Sequence, residues 1–493
     1  MATISRHADE PAQSRMLDAL RLMSTPWALV PILLAAFVVY APTLADWFVG
    51  DDFWFLRASQ QHGIGSEIVR SFDYRNVGSS IEFDRYRPLY PIAWRLQYAA
   101  FGLHAFPYHA IVLGLHLACV ATVWCIARRL FRESWAVNLV ALIFALHPAY
   151  MDAVAAVAAG NRVFAALPYL LALLCYMRSL ESGERRAGAW QAGAFVMFVV
   201  AVGFHSASLT LAAVLVGYRF LVAGAPRDAW RPRAWLPFVP FAVVVVASAA
   251  VQAHVRGQIP HGNEGFVFGF HQYEKYGYYL GAASQPVTPE SFTGVLHAAL
   301  SDARGLGSLA LVIAAVAMLM RARDQRLATF VVGWAAVVFL PDSTLVLQPS
   351  GRLFYMPGPA IALLLVAIFV WLRDELPPDR ATAVARAFPY MLALLVPIVM
   401  FVTWGRTRDV SHEASRAQAF VERVRSEFKT MPTGTLYVSP VPSGLITFDQ
   451  SSRLEAAVEL YYGDARVVYV RPGQVAAVKA ALKPDDQFYD DKP

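Results

Sequence analysis

Eleven predominantly apolar runs punctuate the chain, near 26–44, 107–127, 133–149, 162–178, 189–204, 206–222, 235–253, 304–320, 327–341, 358–372 and 388–404. Each approaches the roughly 20 residues that a helix needs to cross the hydrocarbon core of a bilayer. Arginine clusters separate alternate runs: Arg128/Arg129/Arg132, Arg178/Arg185/Arg186, Arg227/Arg231/Arg233, Arg321/Arg323/Arg326 and Arg373/Arg380/Arg386. Basic loops stay on the cytoplasmic side, so these five clusters predict one face of the membrane. The pattern therefore predicts an all-α polytopic membrane protein of about 11 transmembrane helices with its N-terminus inside.

An odd span count leaves three segments outside: a loop over 45–106, a second over 254–303, and everything after Trp404. The first loop alternates aromatic and polar residues, and 89–103, with Trp94, Tyr98 and Phe101 against Arg95 and Gln97, reads as a helix lying in the interface. The second mixes His254, His261 and His271 with Glu264, Glu274 and many aromatics, the make-up of a lid or substrate-binding loop. After about residue 411 the composition turns soluble. Helices are expected over 413–429, 454–462 and 475–482, and strands over 435–439 and 466–470. The domain plan is thus a cytoplasmic N-terminus (1–25), a transmembrane domain (26–404) and a small α/β C-terminal extracytoplasmic domain (411–493). That last domain carries no glycine-rich phosphate loop and no nucleophile motif, so no chemistry is assigned to it.

Composition sharpens this picture at three points. Of 493 residues 57% are hydrophobic and only 16% charged, above the roughly 45–50% apolar share of soluble chains. The net charge of +6 is distributed between the apolar runs rather than gathered in one stripe, which excludes a nucleic-acid footprint. Cys119, Cys125 and Cys175 all lie within apolar runs without CxxC spacing, so neither structural disulfides nor a zinc site is expected. The N-terminus carries Arg6, Arg15 and Arg21 and lacks a small-residue cleavage site, so the first run is read as a retained span.

The candidate chemistry gathers at the ends of spans. Asp46-Trp47-Phe48-Val49-Gly50-Asp51-Asp52-Phe53-Trp54 closes the first run. Adjacent carboxylates repel, which favours a raised pKa on one of them and suits Asp51 or Asp52 to act as general base. The same pair has the chemistry to ligate a divalent cation such as Mg or Mn, and the plain alternative is a solvated acidic loop. Tyr86-Arg87-Pro88-Leu89-Tyr90-Pro91, preceded by Glu82, Asp84 and Arg85, presents Arg87 on a proline-stiffened backbone. A guanidinium there either holds a lipid phosphate by paired hydrogen bonds or anchors at headgroup level. His147-Pro148-Ala149-Tyr150-Met151-Asp152 ends the third run, and Gly160-Asn161-Arg162 begins the fourth. His147, Asp152 and Arg162 are site candidates by their place at span ends, with a helix cap as the alternative for His147 and Asp152. Gly351-Arg352-Leu353-Phe354-Tyr355-Met356-Pro357 enters the tenth run from outside. Arg352 there calls for an anion, either a phosphate or Asp342. His109 and His116 read as packed residues within the second run.

These landmarks, taken in order, resemble the GT-C superfamily of polytopic glycosyltransferases. The nearest branch holds the protein O-mannosyltransferases and the transmembrane tetratricopeptide-repeat mannosyltransferases. The resemblance runs from about Val39 to Leu372. It is carried by the acidic pair after the first run, Arg87-Pro88-Leu89, Phe101-Gly102 with Tyr108-His109 and His116, His147-Pro148 with Asp152, and Arg352-Leu353-Phe354-Tyr355-Met356-Pro357. It implies inverting transfer of a sugar from a polyprenyl-phosphate-linked donor to an extracytoplasmic acceptor (protein, glycan or lipid). Asp51 or Asp52 would activate the acceptor, and Arg87 and Arg352 would neutralise the leaving phosphate, with Asp84 and Tyr355 as further site candidates. Many relatives have a Lys-Glu pair at the turn where this chain has Gly203-Phe204-His205-Ser206-Ala207-Ser208, so His205 is placed as the phosphate contact. No tetratricopeptide repeats follow the membrane part. The expected setting is a bacterial inner membrane with the site on the periplasmic side, in contact with lipid donor and membrane lipids and not with nucleic acid. Two other readings remain open at this stage: a non-enzymatic transporter or flippase of lipid-linked glycans, and a structural subunit of an envelope-glycan complex.

Overall fold

The computed structural model describes residues 25–75, 86–224, 231–258, 271–284, 294–343, 351–431, 433–441, 451–463 and 466–491, and within them each of the eleven apolar runs falls on helix. The first half of the chain forms α1 (Leu29–Tyr40, continued by a 3-10 turn through Ala45), α2 (Asp52–Gln61), α3 (Ile64–Phe72), α4 (Leu89–Phe101), α5 (Ala105–Leu130), α6 (Ser134–Leu146), α7 (Met151–Ala155), α8 (Asn161–Glu181) and α9 (Glu184–Phe204). Then come α10 (Leu211–Gly217), α11 (Val239–Gln258), α12 (His271–Ser284), α13 (Gly294–Arg321), α14 (Gln325–Ser343), α15 (Gly358–Glu375) and α16 (Pro378–Glu427). The C-terminal part adds β1 (Thr435–Ser439), α17 (Ser451–Tyr462), β2 (Arg466–Tyr469), α18 (Val475–Ala480) and β3 (Gln487–Asp490).

The burial pattern is that of a protein whose solvent is lipid. Ala136, Ala141, Ala145, Ala165, Ala166 and Ala172 are buried, and such small residues let helix backbones approach closely. Facing outward instead are Leu34, Phe37, Val243, Val246, Leu309, Ile313, Leu394 and Phe401. Water would penalise so much contiguous apolar surface, whereas hydrocarbon does not. The chain is an integral membrane protein. Among the described residues six helices are long and apolar enough to cross a bilayer, seven if α6 and the segment Pro148–Ala155, bent by 42°, make one span. Leu29–Ala45, Ser206–Val222 and Gln325–Pro341 are apolar but shorter. The eleven runs are therefore eleven helical stretches of unequal reach, not eleven full-length spans by this criterion.

The two ends of the helical bundle differ. At one end Arg373 pairs with Glu133 (2.9 Å), Arg129 pairs with Glu181 (3.0 Å), and Asn138 donates to the Thr25 carbonyl. Basic clusters far apart in sequence thus meet beside the start of α1, as the loop-charge pattern requires. At the other end lie the acidic pair, the 147–160 segment and the start of α15.

Helix α16 joins this second end to the C-terminal domain. Its 50 residues reach about 75 Å at 1.5 Å per residue, more than twice the ~30 Å hydrocarbon core. A helix boundary near residue 411 was expected from the change in composition, but the backbone runs through it. Beyond the bilayer the helix buries Ala417, Phe420, Val421 and Val424 in the same core as Leu436 and Val438 of β1. Arg423 clamps Asp491 with two hydrogen bonds of 2.8 and 2.7 Å. The sheet is parallel in the order β2-β1-β3, with α17 and α18 in the crossovers. The expected strands and helices of this domain are present, and β3 is added to them.

Candidate active site

The acidic stretch folds as a turn and a helix start. Gly50 takes φ of 52°, a left-handed conformation that side chains disfavour, and this reverses the chain so that α2 begins at Asp52. The two carboxylates then part company. Asp52 is fully buried and accepts hydrogen bonds from the backbone N–H of Val49 (Oδ2, 2.9 Å) and of Ala158 (Oδ1, 2.6 Å). Burial outweighs those two bonds and pushes its pKa up to about 7. Asp51 remains partly exposed, and its Oδ1 accepts from Arg453 of α17 at 2.8 Å. Upstream, Asp46 is buried, and burial raises its pKa to about 6.

Ala158 is held from two sides. Its N–H goes to Asp52, while its carbonyl and that of Val157 both accept from the Tyr90 hydroxyl at 2.9 Å. Tyr90 lies within electrostatic reach of Arg87, Asp51 and Asp52. The turn carrying His205 lies beside them, since Gly203 abuts Leu89: a Cβ there would fall 2.7 Å from the leucine side chain. His205 is buried, and its Nδ1 accepts the Ala207 N–H (3.1 Å), so it also caps the following turn.

The other end of the 151–160 segment gathers a second group. The Asp152 carboxylate accepts backbone N–H bonds from Gly351 and Arg352 and lies within electrostatic reach of the Arg352 and Arg406 guanidinium groups. Gly351 is required by this contact, because a Cβ would come 2.6 Å from the Ala149 carbonyl and 3.0 Å from Asp152 Oδ2. The Arg352 side chain is exposed. Arg406 of α16 belongs to this group although the sequence reading passed over it, having placed the residue where the soluble tail begins.

His147 and Tyr355 fall instead in an aromatic box. His147 packs on Phe354 and Tyr150 with ring centroids 5.0 and 5.3 Å away, and its Nδ1 accepts the Ala149 N–H. The Tyr355 hydroxyl is engaged with His116 Nδ1 at 2.8 Å. Arg162 is buried at the start of α8. Asp84, with Glu82 and Arg85, lies outside the described residues, as do His261, Glu264 and Arg227; the side chains of His271, Glu274 and Asp342 do as well. A divalent cation does not fit the acidic pair. Both Asp52 oxygens hold backbone amides, Asp51 Oδ1 holds a guanidinium, and among the described residues no three His, Cys, Asp or Glu are grouped to hold a metal.

The solved oligosaccharyltransferase of Archaeoglobus fulgidus, in its complex with Zn and sulfate, superposes with a TM-score of 0.51 over 90% of this chain and 62% of that one. Its apo form gives 0.50. This is the GT-C fold. At 12% and 11% identity the likeness is one of fold alone. In sequence the GT-C resemblance narrows to a branch. The Protein O-mannosyl-transferase Tmtc2 of Drosophila melanogaster is 32% identical over 189 residues, and Protein O-mannosyl-transferase TMTC1 of Mus musculus 30% over 155. These matches take in 37% and 30% of this chain but only 20% and 16% of the relatives. No protein-family profile matches the chain.

Proposed function

We propose that this protein is a membrane glycosyltransferase that moves a sugar from a polyprenyl-phosphate-linked donor to an extracytoplasmic acceptor, with Asp51 as general base. The observation that carries the reading is the division of labour in the acidic pair. Asp52 spends both oxygens on backbone amides, whereas Asp51 is partly exposed, at the opposite end of the bundle from the basic clusters. Asp51 takes the proton from an acceptor hydroxyl as its oxygen bonds to the anomeric carbon. The bond from that carbon to the phosphate oxygen breaks, and its electron pair leaves with the lipid phosphate. One displacement of this kind inverts the anomeric centre.

Arg87 and Arg352 supply positive charge where the leaving phosphate gathers negative charge, which lowers the barrier most in a water-poor site. Asp152 fixes the Arg352 backbone through its amide bonds. The relatives named as O-mannosyl-transferases favour a hexose donor and a hydroxyl acceptor. The same reading puts residues 1–25 in the cytoplasm, 26–404 in a bacterial inner membrane and 411–493 in the periplasm. Its test is transfer of labelled sugar in membranes offered either polyprenyl-phosphate sugars or nucleotide sugars. Transfer from the lipid-linked donors is expected; transfer from nucleotide sugars alone would reject the donor class.

A further inference from the structure

The C-terminal domain, assigned no chemistry on sequence grounds, reaches into the candidate active site. Helix α17 lies along α2, the helix that starts at the acidic pair. Three contacts join them: Arg453 to Asp51, an ion pair of Arg57 with the buried Glu459, and Gln60 Nε2 donating to the Leu460 carbonyl at 3.3 Å. The Arg453 guanidinium also sits 5.5 Å from the centroid of the Trp54 ring, so the arginine is fixed by an aromatic face as well as by charge. Its Nε and Nη2 both lie 2.8 Å from Asp51 Oδ1. Among the described residues no donor meets Oδ2.

We infer that Arg453 is a positioning residue, gripping one oxygen of Asp51 so that the other is held toward the acceptor, and that the C-terminal domain, docked on α2, completes the site through this one residue. The inference rests on the glycosyltransferase reading. A carboxylate at the N-cap of a helix has two free side-chain torsions, and a general base must sit within hydrogen-bond reach of the proton it takes. Arg453 removes that freedom at one oxygen without covering the other. Helix α16 makes such an arrangement available, because it runs as one continuous helix from the membrane part to the core of the sheet that carries α17.

The experiment compares full-length Arg453→Ala and Arg453→Lys with the double variant Arg57→Gln/Glu459→Gln, which removes a docking contact without touching Asp51 or leaving a lone buried charge. Arg453→Ala should lower kcat roughly 100-fold, the scale of a small misplacement of a catalytic group, with KM little changed. The lysine variant should recover part of the loss, and the double variant should keep near-normal turnover. In an Asp51→Asn background Arg453→Ala should add nothing, since Arg453 acts only through the Asp51 carboxylate. An equal loss in the double variant, or a full further loss in the Asp51→Asn background, would overturn the inference. If Asp51→Asn is inactive and Arg453→Ala is normal, the inference fails and the base stands; if Asp51→Asn is active, the base assignment itself fails. Should wild type transfer no sugar, hydrogen exchange decides the docking claim: amides over 51–61 must exchange faster in Arg453→Ala, and unchanged exchange refutes it.

Discussion

Asp52 offers a test that needs no substrate. Its carboxyl is fully buried, and its pKa rises from 3.8 to about 7 because burial disfavours the charged form more than the amides of Val49 and Ala158 favour it. Between those values the folded protein keeps a proton on Asp52 that the unfolded chain has released. The folded state therefore binds more protons, and stability falls as pH rises through this window. A shift of about three units at 1.36 kcal/mol each corresponds to about 4 kcal/mol, an upper figure for one group. Asp52→Asn removes the titration. It also leaves one of the two amides facing an NH₂ group in place of an acceptor, at a cost of ~1–3 kcal/mol. The variant should therefore unfold more readily than wild type at pH 5, and the deficit should shrink or reverse by pH 8. Unfolding midpoints in detergent or nanodiscs, taken at one scan rate from pH 4.5 to 8.5, would measure both curves. A deficit that stays constant across that range would refute the reasoning. So would a wild type that gains stability as pH rises while the variant stays flat.

Three further outcomes follow from packing and topology. Gly358→Ala places a Cβ 2.1 Å from the Tyr150 hydroxyl oxygen, so folded yield should fall sharply, by the ~1–3 kcal/mol of overpacking or more, and Tyr150→Phe in the same chain should restore part of it. Tyr355→Phe leaves the buried His116 Nδ1 without its 2.8 Å partner and should cost ~1–3 kcal/mol in thermal unfolding while sparing turnover. Single cysteines in a cysteine-free background should label from opposite sides with an impermeant reagent: Arg466→Cys in intact cells, Arg380→Cys only after permeabilisation.

The helical body was legible because each apolar run had a length and a charged flank that only a membrane explains. The continuation of α16 was not legible, since the change from Leu394 and Phe401 to Glu413 and Arg416 alters solvent but not helix propensity. Strand β3 was missed because four residues with no buried side chain leave no alternation to detect. Arg453 carried no local signal, lying 402 positions from Asp51 on a helix of ordinary composition, and only the folded chain brings the two together.

The central claim is that Asp51, and not its neighbour, takes the acceptor proton. The most direct measurement is the rate of labelled-sugar transfer from a polyprenyl-phosphate donor by wild type, Asp51→Asn and Asp52→Asn, each normalised to folded protein in the membrane. Asp51→Asn should lose ~10²–10⁴ in turnover at undiminished folded yield, while Asp52→Asn should lose yield and retain turnover per folded molecule. Full turnover in Asp51→Asn, or a catalytic loss confined to Asp52→Asn, would contradict it.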